Sequence, residues 1–393
     1  MYIKRGFPIL TQIDKLGLVG FISSLGLACV GTIWAIYLES FLHNASSVGF
    51  LISFFTITSL VTFIFLIPIM EKNSKIKLYS ISLFLFIISY LLFSILSNIY
   101  AVVILGFIIS IVVSLRINSY GIIVIDKSKK QKLAKNEGLI YTFMNLSWLI
   151  GPLIAGFLSS KYGVKSVFLI SALFIFISLF LFHIFRIRNN QTPKRKDHIL
   201  KATIDFFKNK NRVGCYFLSG AINFWWALIY VYIPILIIES GFDAKIVGYF
   251  LFGIVIPLIL FTYSFGKLAG KIGFKKIFFI GYSILGIAAI ISFFLSNLFL
   301  ILGVLILASV GAAMVESTSE AYFFDIISKN QRDKYYGIYN TSIEVNHGIA
   351  SFLGAVILFF FSFKYLFLLY AVAMFVIALV SLKIKNIIES KRL

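Results

Sequence analysis

Two stretches of equal length in this chain share the same first residues, the same last residue and the same apolar character. Residues 97–126 read SNIYAVVILGFIISIVVSLRINSYGIIVID, and residues 296–325 read SNLFLILGVLILASVGAAMVESTSEAYFFD. Each holds more than the about 20 mostly apolar residues that an α-helix needs to cross a bilayer. We interpret them as membrane-spanning helices at equivalent positions of an internal repeat.

The composition of the whole chain supports a membrane protein. Apolar residues make up 60% of the 393 positions and charged residues only 13%. Soluble domains are about half apolar and about a quarter charged. So few charges cannot cover a water-facing surface, which excludes a soluble globular protein. The predicted fold class is therefore an all-α integral membrane protein.

Twelve segments are long and apolar enough to span a membrane. In chain order the predicted spans are 17–38, 48–69, 78–97, 99–124, 138–160, 166–185, 213–238, 246–265, 277–295, 298–324, 336–360 and 365–382.

The basic residues alternate from one connection to the next. Of the 36 Lys and Arg, 31 lie before span 1, after span 12 or in the even-numbered connections, and four lie in the odd-numbered ones. The remaining one is Arg116, within span 4. The positive-inside bias then predicts a cell-membrane protein with both termini in the cytoplasm. The net charge of +21 reflects this topology, and a nucleic-acid partner is not needed to explain it.

The repeat extends over most of the chain. Shifting the sequence by 199 residues places Lys72 on Lys271 and Asp126 on Asp325 without a gap. Six spans in each half make the repeats parallel, related by an axis along the membrane normal. The predicted organisation is two pseudo-symmetric six-helix bundles, 1–185 and 213–393, joined by a polar, basic cytoplasmic linker, 186–212.

The connection between spans 8 and 9, GKLAGKIGFKK from Gly266 to Lys276, resembles the gating-loop signature of the major facilitator superfamily. Gly270 stands where that family has an acid, whereas the equivalent loop of the first half keeps Glu71 and Lys72 but lacks the glycines. An ordinary positive-inside loop is the alternative for the second-half copy. The resemblance implies gating roles for these residues: Glu71, Lys72, Asp126, Gly266, Lys271, Gly273 and Asp325.

Span 5 contains GPLIAG, residues 151–156, which is similar to a signature frequent in the family's exporters. Pro152 cannot donate a hydrogen bond to the carbonyl of Trp148, so the helix can bend there. Gly151 and Ala155 allow a neighbouring helix to approach closely. We therefore assign Gly151, Pro152 and Gly156 to a helix hinge and packing site.

Ionisable residues inside the spans are costly in hydrocarbon and are therefore candidates for function. They are Arg116 in span 4, Glu316 and Glu320 in span 10, and Glu344 and His347 in span 11. The resemblance implies that spans 1, 4, 7 and 10 line a cavity with span 11 beside them, which agrees with these positions. A static polar cluster between helices is the alternative, as is snorkelling of Arg116 to the interface.

Polar residues also recur at helical spacing beside these charges. In span 11 the residues at positions 340, 344, 347 and 351 share one helix face, and the positions 199 residues earlier share a face of span 5. Span 7 has a similar face. From these faces we predict further residues of a substrate and proton pathway: Asn340, Asn145, Trp148, Asn223 and Trp226.

The leading functional hypothesis is a secondary transporter, a proton-coupled exporter of a cationic or amphipathic small molecule. Buried carboxyls can carry protons, and an excess of acids with nearby aromatic rings suits a cation. An importer of a sugar, nucleoside or other metabolite, and a transport-inactive scaffold or receptor, are the alternatives. The chain has no HExxH, GxSxG or GxxxxGK[ST] motif, so we expect neither an enzyme nor an ATP-driven pump. We expect no cofactor or metal, and a monomer in the lipid bilayer.

Overall fold

The computed structural model describes residues 11–128, 133–187, 199–328, 331–385 and 387, and the regular elements in this part of the chain are helices. The first six helices are α1 (Gln12–Leu42), α2 (Ala45–Lys72), α3 (Lys75–Ile95), α4 (Ile99–Lys127), α5 (Leu133–Tyr162) and α6 (Val164–Ile184). They are followed by α7 (Ile199–Phe207), α8 (Lys210–Gly220), α9 (Ile222–Ala227), a π-helical turn (Leu228–Tyr232), α10 (Ile233–Glu239), α11 (Ala244–Ile272), α12 (Phe274–Phe294), α13 (Leu298–Ile326), α14 (Arg332–Phe360) and α15 (Lys364–Ser381).

The predicted twelve spans are confirmed. Among the described residues, twelve helices are long and apolar enough to cross a membrane. Helices α1 to α6 are the first six spans, the segment from α8 to α10 is the seventh, and α11 to α15 are the last five. The chain is thus a multi-pass membrane protein built from two six-helix bundles.

The internal repeat is visible in the ends of the helices. Adding 199 to the bounds of α3, 75 and 95, gives 274 and 294, which are the bounds of α12. The same shift takes α4 from 99 and 127 to 298 and 326, the bounds of α13. Asn98 and Asn297 cap these two helices with their side chains. Asn is a preferred N-cap because its side-chain oxygen accepts a backbone N–H of the first turn.

The seventh span is interrupted, although its sequence predicts one helix. The Asn223 side chain donates to the Gly220 carbonyl (2.9 Å) at the junction of α8 and α9. Further along, Pro234 has no N–H to offer the carbonyl of Tyr230, so the regular i to i−4 ladder cannot continue there. The chain widens into the π-helical turn immediately before it. Such turns mark the place where one extra residue is accommodated in a helix.

Part of the predicted linker forms helix α7, which docks on the second half. Ala202 and Phe206 are buried, and Phe206 packs against Tyr335 at the start of α14. Asp205 accepts hydrogen bonds from the Tyr335 hydroxyl and from Lys334 (3.0 Å). The two bonds hold the pKa of this carboxyl below its usual value. Residues 188–198 of the linker lie outside the described residues.

The two halves meet at the end of the bundle opposite the chain termini. Ser46 of α2 donates to the Ala355 carbonyl of α14 (2.7 Å), and Ser160 of α5 donates to Asp243, which caps α11 (2.7 Å). The bond from Ser160 lowers the pKa of the Asp243 carboxyl. A lowered pKa means that this bond stabilises the contact while the carboxyl is ionised, and that its contribution is lost as the pH falls through that pKa.

Small residues allow the two halves to touch backbone to backbone at this end. A Cβ atom on Gly156 would lie 2.9 Å from the Gly248 Cα, and one on Gly248 would lie 2.5 Å from the Pro152 carbonyl. A third contact is made by Tyr232, whose ring lies against Gly49 of α2 and Gly354 of α14 and whose hydroxyl donates to the Ser351 carbonyl. Side chains larger than glycine cannot be accommodated at these contacts without separating the helices.

We therefore predict that Gly156→Val opens the end opposite the termini, because the added methyl groups overlap α11. In a Ser46→Cys background, Gly156→Val is expected to raise labelling of the cysteine by a membrane-impermeant maleimide several-fold. The native Cys29 and Cys215 are buried and give little background. Gly138→Val is the matched control on the same helix, since a Cβ there meets no atom within 4 Å. Equal labelling of the two valine variants would contradict the packing argument.

Candidate functional site

The acidic residues predicted from the sequence lie in a cleft between the halves. Glu316 of α13 is half-buried and accepts a hydrogen bond from the indole Nε1 of Trp226 (2.7 Å). One oxygen of the Glu316 carboxyl is thereby oriented by α9, and the second oxygen has no described partner. An indole N–H only donates, so Trp226 favours a carboxylate that acts as acceptor.

Three aromatic rings extend the site from Glu316 to the other half. The ring centroid of Tyr230 lies 5.8 Å from that of Trp226 and 5.5 Å from that of Trp148 on α5. A Cβ on Gly31 of α1 would lie 3.0 Å from the Trp148 ring, so the indole is held against the first half. Glu316 therefore adjoins an aromatic wall contributed by both halves. Tyr230 shares the helix face predicted for span 7, but the repeat pattern alone does not show that it meets Trp148.

The cleft is accessible from the end that carries the termini. Glu320, one turn from Glu316, is exposed and accepts a hydrogen bond from the Tyr336 hydroxyl of α14 (2.7 Å). Tyr141 of α5 lies close enough to the Glu316 and Glu320 carboxyls to interact with their charges, and it is 58% exposed. Since the opposite end is closed by Gly156, Gly248 and Tyr232, the structure is open on one side only.

Glu344 and His347 lie one helical turn apart on α14 and are both half-buried. Neither side chain has a hydrogen bond to another residue in the described part of the chain. Asn340, one turn before Glu344, and Asn145 of α5 are half-buried as well. These groups are available to protons, water or a solute. In the described ranges no three His, Cys, Asp or Glu side chains converge as metal ligands.

Two of the predicted residues, Arg116 and Asn223, are almost fully buried. Arg116 is 7% exposed inside the first bundle, where its charge lies nearest Tyr79, Tyr90 and Tyr120. Its Nε and Nη1 have no hydrogen-bond partner among the described residues. Its side chain neither pairs with Glu316 nor snorkels outward. The amide of Asn223 is used by the Gly220 carbonyl, as described above, and serves the break in the seventh span.

The predicted gating residues lie at the end that carries the termini, in the last turns of helices or, for Gly273, in a connection. Gly273 alone joins α11 to α12, with a φ of 93° that favours glycine. Lys72 and Lys271 are exposed in the last turns of α2 and α11, and the Glu71 side chain lies outside the described residues. Gly266 lies within α11, where a Cβ would be 3.9 Å from the Ser317 carbonyl.

The acids at the ends of α4 and α13 differ in their surroundings. Asp126 has Lys75 and Lys127 as its nearest charges, both in the first half. Asp325 is half-buried near the end of α13.

The GPLIAG segment of α5 packs against α1 on one side and against α11 on the other. A Cβ on Gly151 would lie 2.6 Å from the Ala28 Cβ of α1, and Gly156 meets α11 as described above. Helix α5 continues through Pro152. The segment therefore fixes α5 against its own half and against the other half within two helical turns.

Twelve spans in two repeated bundles, with a polar cleft open at one end, define a membrane carrier of small solutes. The sequence profile of the Major Facilitator Superfamily matches residues 16–264 and 255–390. The chain belongs to the major facilitator superfamily. It is a transporter and not an enzyme.

Similar proteins agree on the family and differ in substrate. The chain is 22% identical over 342 residues to the uncharacterized MFS-type transporter MJ1560 of Methanocaldococcus jannaschii, covering 86% of this chain and 87% of that protein. It is 31% identical over 199 residues to the multidrug resistance protein MdtG of Proteus mirabilis, covering 45% of this chain and 46% of that protein. The crystal structure of a POT family transporter in complex with 5-aminolevulinic acid has a TM-score of 0.79 at 13% identity, covering 94% of each chain.

The bond between Trp226 and Glu316 can be measured by a double-mutant cycle. We predict a coupling free energy of about 1.5–3 kcal/mol between Trp226→Phe and Glu316→Ala, the range for hydrogen bonds to charged groups. The measurement is the free energy of unfolding in mixed micelles for the two single variants and the double variant. Trp34→Phe paired with Glu316→Ala is the control, because Trp34 lies among aromatic rings of the first half. Additive effects in the Trp226 cycle would show that the bond contributes nothing.

Proposed function

We propose that this protein is a proton-coupled exporter of a cationic or amphipathic small molecule that works by alternating access. The observation that carries the proposal is the Glu316 carboxyl, oriented by Trp226 and adjoining the rings of Tyr230 and Trp148. A carboxylate attracts an organic cation, and aromatic faces stabilise it further. The site is thus suited to a positively charged, partly apolar solute.

The charge balance of the cleft supports a cation. Glu316 and Glu320 line it and Glu344 is half-buried on α14, whereas Arg116 is enclosed among tyrosines of the first bundle. No described basic side chain forms an ion pair with these three acids. The negative charge is therefore available to a solute or to protons.

Glu344 and His347 are proposed as proton carriers beside the solute site. They lie one turn apart on α14, are half-buried and are free of described hydrogen bonds. One proton moving down 100 mV releases about 2.3 kcal/mol, enough for roughly a fiftyfold concentration ratio of solute. Because the solute and the proton would bind different groups, binding of either one would influence the same opening and closing of the cleft.

Export is proposed as the direction because GPLIAG resembles an exporter signature and because one relative is named a multidrug resistance protein. The similar POT family structure was determined with 5-aminolevulinic acid, so the fold also accommodates other solutes. Import of a sugar, nucleoside or other metabolite is the second candidate function. A transport-inactive scaffold is disfavoured by the one-sided opening of the cleft.

We further propose a cell-membrane monomer whose halves, 1–185 and 213–393, move relative to each other through the linker 186–212. The positive-inside bias of the basic connections favours both termini in the cytoplasm. In this orientation the cleft of the present structure faces the cytoplasm. The gating residues Glu71, Lys72 and Lys271 would then meet across this end when the protein opens outward.

The orientation is tested by labelling cysteines on intact cells with a membrane-impermeant maleimide. Asn73→Cys lies between α2 and α3, at the end with the termini, and Ser240→Cys lies at the opposite end; both positions are exposed. We expect Ser240→Cys to be labelled on intact cells and Asn73→Cys only after permeabilisation. The reverse pattern would overturn the proposed topology.

The transport proposal is tested in proteoliposomes with an imposed pH gradient. We expect the gradient to drive flux of radiolabelled 1-methyl-4-phenylpyridinium, an aromatic cation, and Glu316→Gln to reduce this flux at least about tenfold by removing the carboxylate that pairs with the cation. Glu39→Gln is the control, since it removes a carboxylate at the opposite end. Xylose and uridine in the same assay distinguish an importer of neutral metabolites.

Two results would contradict the proposal. Cation flux that is unchanged by Glu316→Gln at every pH would remove Glu316 from the pathway. Flux of xylose or uridine without cation flux would favour the second candidate function. Thermal unfolding of each variant confirms that a lost flux does not reflect a lost fold.

A further inference from the structure

A second cavity lies outside the cleft, between the start of α12 and the end of α15. It has a volume of about 380 Å³ and is lined by two lysines and three apolar side chains: Lys275, Lys276, Phe279, Ile280 and Leu382. Both helix ends belong to the end of the bundle that carries the termini. The cavity therefore lies at the level of one membrane surface, away from the proposed transport pathway.

The cavity is strongly positive. Neither Lys275 nor Lys276 forms an ion pair with a described residue, and none of the five lining residues is acidic. Lys383 and Lys385 follow directly after Leu382. The segment that carries them is fixed beside α12, because Phe274 donates to the Ile387 carbonyl (3.4 Å) and Tyr322 to the Lys385 carbonyl (3.5 Å). Four lysines are thus gathered at this corner of the bundle.

An apolar surface continues from the cavity along α12. Ile280 and Leu382, at its edge, are 39% and 40% exposed. Ile287 and Ile291 are exposed further along α12, seven and eleven residues after Ile280, so the three share one helix face. A positive cavity at the membrane surface is therefore continuous with an apolar strip that runs into the membrane.

We propose that this cavity binds an anionic phospholipid, with its phosphate between Lys275 and Lys276 and an acyl chain along Ile280, Ile287 and Ile291. Basic pockets between membrane helices are suited to phosphate head groups. The apolar strip distinguishes a lipid from a soluble phosphate compound, which would use only the lysines. The proposal is independent of the transported solute.

The internal repeat supplies a natural comparison. Subtracting 199 from the lining positions gives Ile76, Lys77, Ser80, Ile81 and His183 in the first half. Only one of these positions is a lysine, and Ser80 stands at the position of Phe279. The His183 ring is hydrogen-bonded to the Leu179 carbonyl (2.8 Å). The equivalent corner therefore lacks the second lysine and the aromatic side chain of the proposed site, whereas Ile81 keeps an exposed apolar residue there.

Native mass spectrometry of the full-length protein with added lipid tests the proposal. We expect tighter retention of phosphatidylglycerol than of phosphatidylcholine with the same acyl chains. Lys275→Gln with Lys276→Gln is expected to weaken phosphatidylglycerol binding about thirtyfold, at about tenfold for each 1.4 kcal/mol and about 1 kcal/mol for each lysine near the membrane surface. The matched control Lys77→Gln is expected to leave it within about twofold. Lys275→Arg with Lys276→Arg retains the charge and is expected to retain binding.

Three outcomes would overturn the proposal. Equal retention of the two lipids would show that the cavity does not select for an anionic head group. An equal loss in Lys77→Gln would assign the effect to overall charge. Binding of glycerol 3-phosphate at the same lysines with the affinity of the lipid, unaffected by Phe279→Ala, would make the site one for soluble phosphate compounds. Thermal unfolding in phosphatidylcholine verifies that the variants are folded.

Discussion

The free-energy cost of placing an ionisable side chain in hydrocarbon determines how this molecule is arranged. Glu316, Glu344 and His347 belong to helices that also contact lipid, so α13 and α14 must turn these side chains towards a polar space. The two bundles provide that space between them, and the apolar side chains of the same helices face outward. A cleft lined by acids is therefore a consequence of membrane insertion as well as the basis of the proposed transport.

The halves are repeats in their backbone and differ in their charges. The bounds of α3 and α4 recur in α12 and α13 after a shift of 199 residues. The buried base, Arg116, is in the first half, whereas Glu316, Glu320, Glu344 and His347 are in the second. The repeat supplies two bodies that fit together and close at one end. The divergence of their side chains supplies the chemistry, which places the solute and proton groups mostly on one body.

Much of the fold could be predicted from the sequence because the signals are local. The twelve spans follow from runs of apolar residues, and the repeat follows from matched cap and turn residues such as Asn98 and Asn297. The side to which Arg116 points could not be predicted, because it depends on the rotation of α4 within its bundle. The break in the seventh span was missed as well, since Asn223 and Pro234 act there on an otherwise regular apolar pattern. Nor does the sequence show that Tyr232 reaches Gly49, because that contact joins distant segments. The acids and Trp226 were predictable from the sequence, whereas the bond from Trp226 to Glu316 and the contact between Tyr230 and Trp148 required the structure.

The π-helical turn of the seventh span has a mechanical consequence. Its residues include Tyr230, which lines the cleft, and Tyr232, which fills the space between Gly49 and Gly354. Successive residues of a helix are separated by about 100° of rotation, so moving the extra residue of the turn by one position swings the side chain that it passes through about that angle. A solute that displaces the Tyr230 ring would therefore also act on Tyr232, two residues further along, which closes the opposite end of the cleft. This single turn of backbone would thus couple the presence of a solute in the central cleft to the contact that closes the opposite end.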